Sequence, residues 1–258
     1  MRLALHAEWT KLRTTRGTPW LLLAVVALTA ATGAAATAAV TCPPSGCSYD
    51  VPALSLAGVR LGQAAVVMLA VLVISTEYGT RMIHTTLTAM PRRTTVLTAK
   101  AILVTALTLI TGTVAVLVSL LAAHLTLPHT ALALPPGRSL LSLTDGPALR
   151  ATLGSVLYLT LIALLSLGLA TAVRDSATAI GTVLALLYVF PILLLTVSDP
   201  GWQRRLWQIS PMNAGLAIQA TTDLDTLPLP PWAGLGVLAA WTAASLLFGA
   251  LMLNRRDA

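Results

Sequence analysis

From Gly17 to Tyr49 the chain carries no charged residue, and comparable charge-free intervals recur along it. A hydrocarbon layer about 30 Å thick is crossed by about 20 helical residues, so each interval is long enough to span a bilayer. The rest of the composition agrees. Charged residues make up 10% of the 258, hydrophobic residues 56%, and mean hydropathy is +0.83. A water-soluble domain carries about 25% charged residues, so there is too little charge here to coat a globule. The expected fold is an all-α polytopic membrane protein, one transmembrane domain over 1–258. Its six spans fall at about 20–40, 59–76, 101–123, 151–173, 177–197 and 232–253. Arg60 is close enough to the outer end of the second span to snorkel. Leu206 to Thr222 also lacks charge, but it holds Gln208, Pro211, Asn213 and Gln219. It reads as interfacial or re-entrant, within a loop 198–231 outside the membrane.

Orientation follows from the bias of Lys and Arg toward the cytoplasm. With the amino terminus inside, the inner side holds Arg2, Lys11, Arg13, Arg16, Arg81, Arg92, Arg93, Lys100, Arg174, Arg255 and Arg256. The outer side keeps Arg60, Arg138, Arg150, Arg204 and Arg205, which completes the sixteen. Both termini are expected in the cytoplasm. A cleaved signal peptide competes for the first forty residues, with Ala34, Ala36 and Ala38 as small-residue cleavage options. The apolar run exceeds an ordinary signal core, and Glu8 and Trp9 precede it, so an anchor is the better reading. The net charge of +7 lies at the ends of apolar runs, which points to topology and not to a nucleic-acid partner.

The chemistry available to these residues is narrow. No phosphate-binding glycine loop precedes Lys11 or Lys100, so a nucleotide has no P-loop here. His6, His84, His124 and His129 are dispersed over both sides and read as chance polar residues, not as a metal site. Cys42 and Cys47 flank Pro43, Pro44, Ser45 and Gly46 in the first outer loop. Outside the cytoplasm those turn residues favour a disulfide, with two free thiols as the alternative. The spans hold no charge with which to couple ion movement to cargo, which disfavours a secondary transporter. A transporter built this way takes its energy from another polypeptide.

Two segments are suited to the inner surface. Over 78–91, Met82, Ile83, Thr86, Leu87 and Met90 recur at helical spacing, which predicts a short helix with one apolar face that Pro91 ends and Arg92 and Arg93 follow. Such a helix either lies on lipid headgroups or docks in a groove on a partner. Over 1–17, Leu5, Trp9 and Leu12 fall on one face while Lys11, Arg13 and Arg16 reach anionic headgroups, as in an interfacial helix. A basic topogenic tail is the plainer alternative. Trp202, Trp207 and Trp232 suit an outer gate or an aromatic belt, the belt being preferred for Trp232.

Glu77-Tyr78, Ile83, Thr85-Thr86-Leu87 and Pro91-Arg92-Arg93, with Lys100 opening the next span, resemble the signature of bacterial type-2 ATP-binding-cassette exporter permeases. His6 to Arg13, Arg174-Asp175-Ser176, Pro211 to Gly215 and the closing Arg255-Arg256-Asp257-Ala258 are similar too, so the resemblance covers nearly the whole chain. Arg81 departs from it, standing where relatives often carry glycine. The resemblance implies a half-transporter in a bacterial cell membrane, paired with a second permease, a homodimer being expected. Each copy would dock its coupling helix into a separate ATPase subunit, two in all, which would bind ATP and Mg. This chain itself would hold no cofactor and catalyse nothing. Glu77, Tyr78, Arg81, Met82, Ile83, Thr86, Leu87, Met90, Pro91, Arg92 and Arg93 would then serve ATPase coupling. The cargo would be a hydrophobic or amphiphilic compound: an antibiotic, a peptide or a lipid. The rivals are a secondary transporter and a membrane anchor or assembly protein that transports nothing.

Overall fold

The computed structural model describes residues 2–15, 17–40, 50–79, 93–126 and 146–256, and among them there is no strand. The helices are α1 (Arg2–Thr14), α2 (Gly17–Ala38), α3 (Val51–Ser55), α4 (Val59–Gly79), α5 (Arg93–Thr126) and α6 (Gly146–Val173). They continue as α7 (Ser176–Leu184), α8 (Phe190–Leu194), α9 (Pro200–Ile209), α10 (Pro211–Leu216) and α11 (Pro231–Arg256). Six apolar segments among these are long enough to cross a membrane, so this is a multi-pass, all-α membrane protein.

The six differ sharply in how deeply they sit. In α6, 72% of the most apolar stretch is buried, and in 51–75 the figure is 61%, against 22% for α2. Two helices therefore form the centre, and the others lean on them with their outer faces left for lipid. The centre is dense because small residues let backbones approach. A Cβ on Gly58 would lie 1.9 Å from the Thr29 carbonyl oxygen, and one on Gly168 would lie 2.6 Å from the Leu246 nitrogen. No larger residue fits either crossing unless the helices part. Buried hydroxyls are satisfied by carbonyls: Thr29 Oγ1 donates to Val25 O at 2.7 Å, and Ser119 Oγ donates to Ser55 O at 2.8 Å and to Thr29 O at 3.2 Å.

Local signals set the helix ends. Asp175, Asp199 and Ser210 cap α7, α9 and α10, and Pro200 and Pro211 occupy first-turn positions where a missing N–H costs nothing. Arg174 takes a left-handed backbone, φ 66°, and so turns the chain between α6 and α7. The fifth apolar segment is not a regular helix. Pro191 cannot donate a backbone hydrogen bond, and the chain relaxes just before it into a π turn, Ala185–Val189, where the Phe190 N–H bonds back to Ala185 O. The third is longer than its apolar core, since α5 begins at Arg93 and extends about 50 Å at 1.5 Å per residue. Lys100 consequently lies two turns inside a helix, not at its start.

Candidate functional site

The α1 end of the bundle is organised around one buried carboxylate. Glu8 Oε2 accepts from Lys100 Nζ at 2.6 Å, Glu8 Oε1 accepts from Lys11 Nζ at 3.0 Å, and Lys100 Nζ also donates to Val73 O at 3.1 Å. Glu8 is 3% exposed and Lys100 1%. A charge so far from water persists only when paired and hydrogen-bonded. The three contacts join α1, α4 and α5 at one point. They also decide how α1 is turned: Glu8 and Leu12 face the bundle, Leu5 is half-buried, and Trp9 is 48% exposed. Trp9 therefore does not share the inward side with Leu12, because turning Glu8 toward Lys100 brings Leu12 inward with it and leaves Trp9 facing out. Arg13 is exposed and Lys11 half-buried.

Residues 80–92 are attached to this same end, between the last residue of α4 and the first of α5. Glu77 and Tyr78 belong to the final turn of α4 and Arg93 opens α5. Arg81, Met82, Ile83, Thr86, Leu87, Met90, Pro91 and Arg92 lie outside the described residues, as do Cys42 and Cys47. At the turn between α6 and α7, Asp175 accepts the Thr178 N–H at 2.7 Å, and that backbone hydrogen bond holds its carboxyl below the usual carboxylate range.

The opposite end is built around Asp50. Its carboxylate accepts from Ala53 N at 3.0 Å, Thr221 Oγ1 at 2.6 Å, Thr222 N at 3.1 Å and Thr221 N. The segment after α10 is held twice more, by Arg150 Nη2 donating to Ala220 O at 2.6 Å and by Gln219 Nε2 donating to Ser155 Oγ at 3.0 Å. Deeper in, Tyr158 donates to Gln63 Oε1, and Gln63 Nε2 faces Met212 Sδ at 3.5 Å. Tyr188, on the π turn, donates to the Arg60 carbonyl. These polar contacts tie Pro211 to Gln219 into the interior, and nearly all of that segment is buried.

A cleft of about 510 Å³ opens between α3, the start of α4, α9 and α10. Leu54, Ala57, Leu216 and Leu227 are apolar parts of its wall, while Arg60 and Asp50 add charges of opposite sign, Gln219 an amide and Trp207 an indole. Among the described residues no three His, Cys, Asp or Glu side chains are grouped to hold a metal ion. In the sequence Glu8 argues against a signal peptide and falls within the family-like stretch His6 to Arg13, and Arg60 counts as an outer-side residue able to snorkel. The Lys100 partner of Glu8 comes from 92 residues away, and the cleft that Arg60 lines is gathered from distant parts of the chain. No protein-family profile matches the sequence, and no curated protein is significantly similar to it.

Proposed function

We propose that the chain is the permease subunit of an ATP-binding-cassette exporter in a bacterial cell membrane, with both termini in the cytoplasm. It moves an amphiphilic or hydrophobic compound outward on energy from a separate ATPase. One observation carries this reading most. Residues 80–92, which hold the family-like signature, are attached to α4 and α5 at the end where Glu8, Lys100 and the Val73 carbonyl join those helices to α1. A push on that segment would be delivered to three elements at once, and a rigid joint transmits displacement where a loose one would absorb it. The six apolar crossings among the described residues support termini on one side, and the Lys and Arg bias favours the cytoplasm for that side. A secondary transporter would draw on the π turn, since broken helices carry ion sites in such proteins. Ala185 to Val189 offers no carboxylate, histidine or basic side chain for that purpose.

Purification of the full chain from its native membrane tests the reading. A separate P-loop ATPase should co-purify, with activity that depends on this chain. Leu87→Asp should abolish that association while the helical content stays unchanged. Transport by the chain alone, or association unaffected by the substitution, would overturn the proposed coupling.

A further inference from the structure

We propose that the cleft between α4, α9 and α10 is a binding site for an acidic amphiphile, a molecule with one anionic head on an apolar tail. Charge makes the first argument. Arg60 and Asp50 are the charged residues in the wall. Both oxygens of Asp50 are engaged by Ala53, Thr221 and Thr222, whereas exposed Arg60 forms no ion pair among the described residues. The cleft thus presents one guanidinium outside any ion pair among the described residues, whose planar set of donors suits a carboxylate or a phosphate. Around it the wall is Leu54, Ala57, Leu216 and Leu227, which suits a hydrocarbon chain. A volume of about 510 Å³ lies within the ordinary range for small-molecule sites.

Position makes the second argument. The whole of α9 is without a buried residue, and Trp202 and Ile209 are 58% and 53% exposed on one face. Arg205 flanks that face, its guanidinium 5.7 Å from the Trp202 ring centroid, and exposed Arg204 lies on the opposite side of the helix. A short, wholly unburied helix with an exposed apolar stripe and two arginines, directly after a membrane-crossing segment, belongs at the headgroup layer. Trp207 projects from the other side of the same helix into the cleft wall. The cleft is therefore at the depth where an amphiphile in the membrane carries its charge. This inference goes beyond the exporter reading and stands whether or not an ATPase drives the chain.

The full chain in phosphatidylcholine nanodiscs, titrated with dodecyl phosphate and with uncharged dodecanol, tests the site. Dodecyl phosphate should bind saturably, one per chain, about tenfold tighter than dodecanol, as a charge-assisted contact predicts. Arg60→Gln should remove that preference, Arg60→Lys should keep most of it, and the Arg204→Gln/Arg205→Gln pair should leave it intact. Equal affinity for the two probes would overturn the proposal, and this comparison needs no variant to fold. So would a preference that survives Arg60→Gln, or one that disappears with the α9 pair instead. Blending phosphatidylglycerol into the nanodiscs distinguishes the source. Competition assigns the site to an anionic lipid and its absence to a free amphiphile, and either result retains the acidic head.

Discussion

The two ends of the bundle each hold a remote segment in place with one carboxylate, and they do so by opposite means. Glu8 is met by ammonium groups, so a charge is cancelled inside the protein. Asp50 is met by backbone N–H groups and hydroxyls of 53 and 221–222, so its hydrogen bonds are made but no cation is neutralised. Consequently the charges of the first end meet in direct ion pairs, while at the second Asp50 and Arg60 share a cleft wall and Arg60 forms no ion pair among the described residues. An end that must transmit force suits the first arrangement, and an end that must receive a ligand suits the second.

The difference can be broken by experiment. Glu8→Ala should show the largest effect, about 3 kcal/mol of lost stability, because it takes the counter-charge from a buried ammonium. Unfolding in detergent would measure it. Lys100→Met should cost less, since Glu8 keeps Lys11. If the two were equal, the asymmetry drawn here between a buried and a half-buried lysine would be wrong. Asp50→Ala should cost about 2 kcal/mol, because several neutral donors lose their acceptor, and hydrogen exchange at Thr221 and Thr222 should accelerate. A cost matching that of Glu8→Ala would erase the contrast between the two ends.

Asp175 supplies the smallest and sharpest case. Its carboxyl is held low by the Thr178 N–H, so its folded value is below its unfolded one. The cap's contribution is then complete above the ordinary carboxylate range and is lost as pH falls through the lower, folded value. Asp175→Asn should flatten that acid limb of the stability profile and leave stability at neutral pH nearly unchanged. An acid limb identical in both proteins would remove Asp175 from the account.

The architecture is legible in the sequence because it follows from local quantities. Charge-free length marks each crossing, and Asp or Ser followed by proline marks the start of α9 and α10. The buried segment 211–219 is announced by polar residues inside an uncharged run. Helix extent is less legible: Lys100 looks like a boundary residue, yet the helix begins at Arg93 and passes through it, since Lys100 finds its carboxylate on another element. The inward turn of Glu8 could not be read at all, since periodicity groups Trp9 with Leu5 and Leu12 and is silent about a partner 92 residues away. Pro191 does mark the irregular fifth helix, although the number of residues over which the backbone loosens is set by packing. The cleft escapes for the same reason as the pair, because its wall gathers residues from near 54, 60, 207 and 216.

The distance along the chain between Glu8 and Lys100 also fixes an order of assembly. During synthesis the acid leaves the ribosome 92 residues before the amine that will claim it. Until the third crossing has been inserted, the opening helix can have no final seat and waits at the water boundary with its carboxylate hydrated. Docking of α1 thus waits for the insertion of α5, and a chain interrupted before Lys100 would leave α1 undocked.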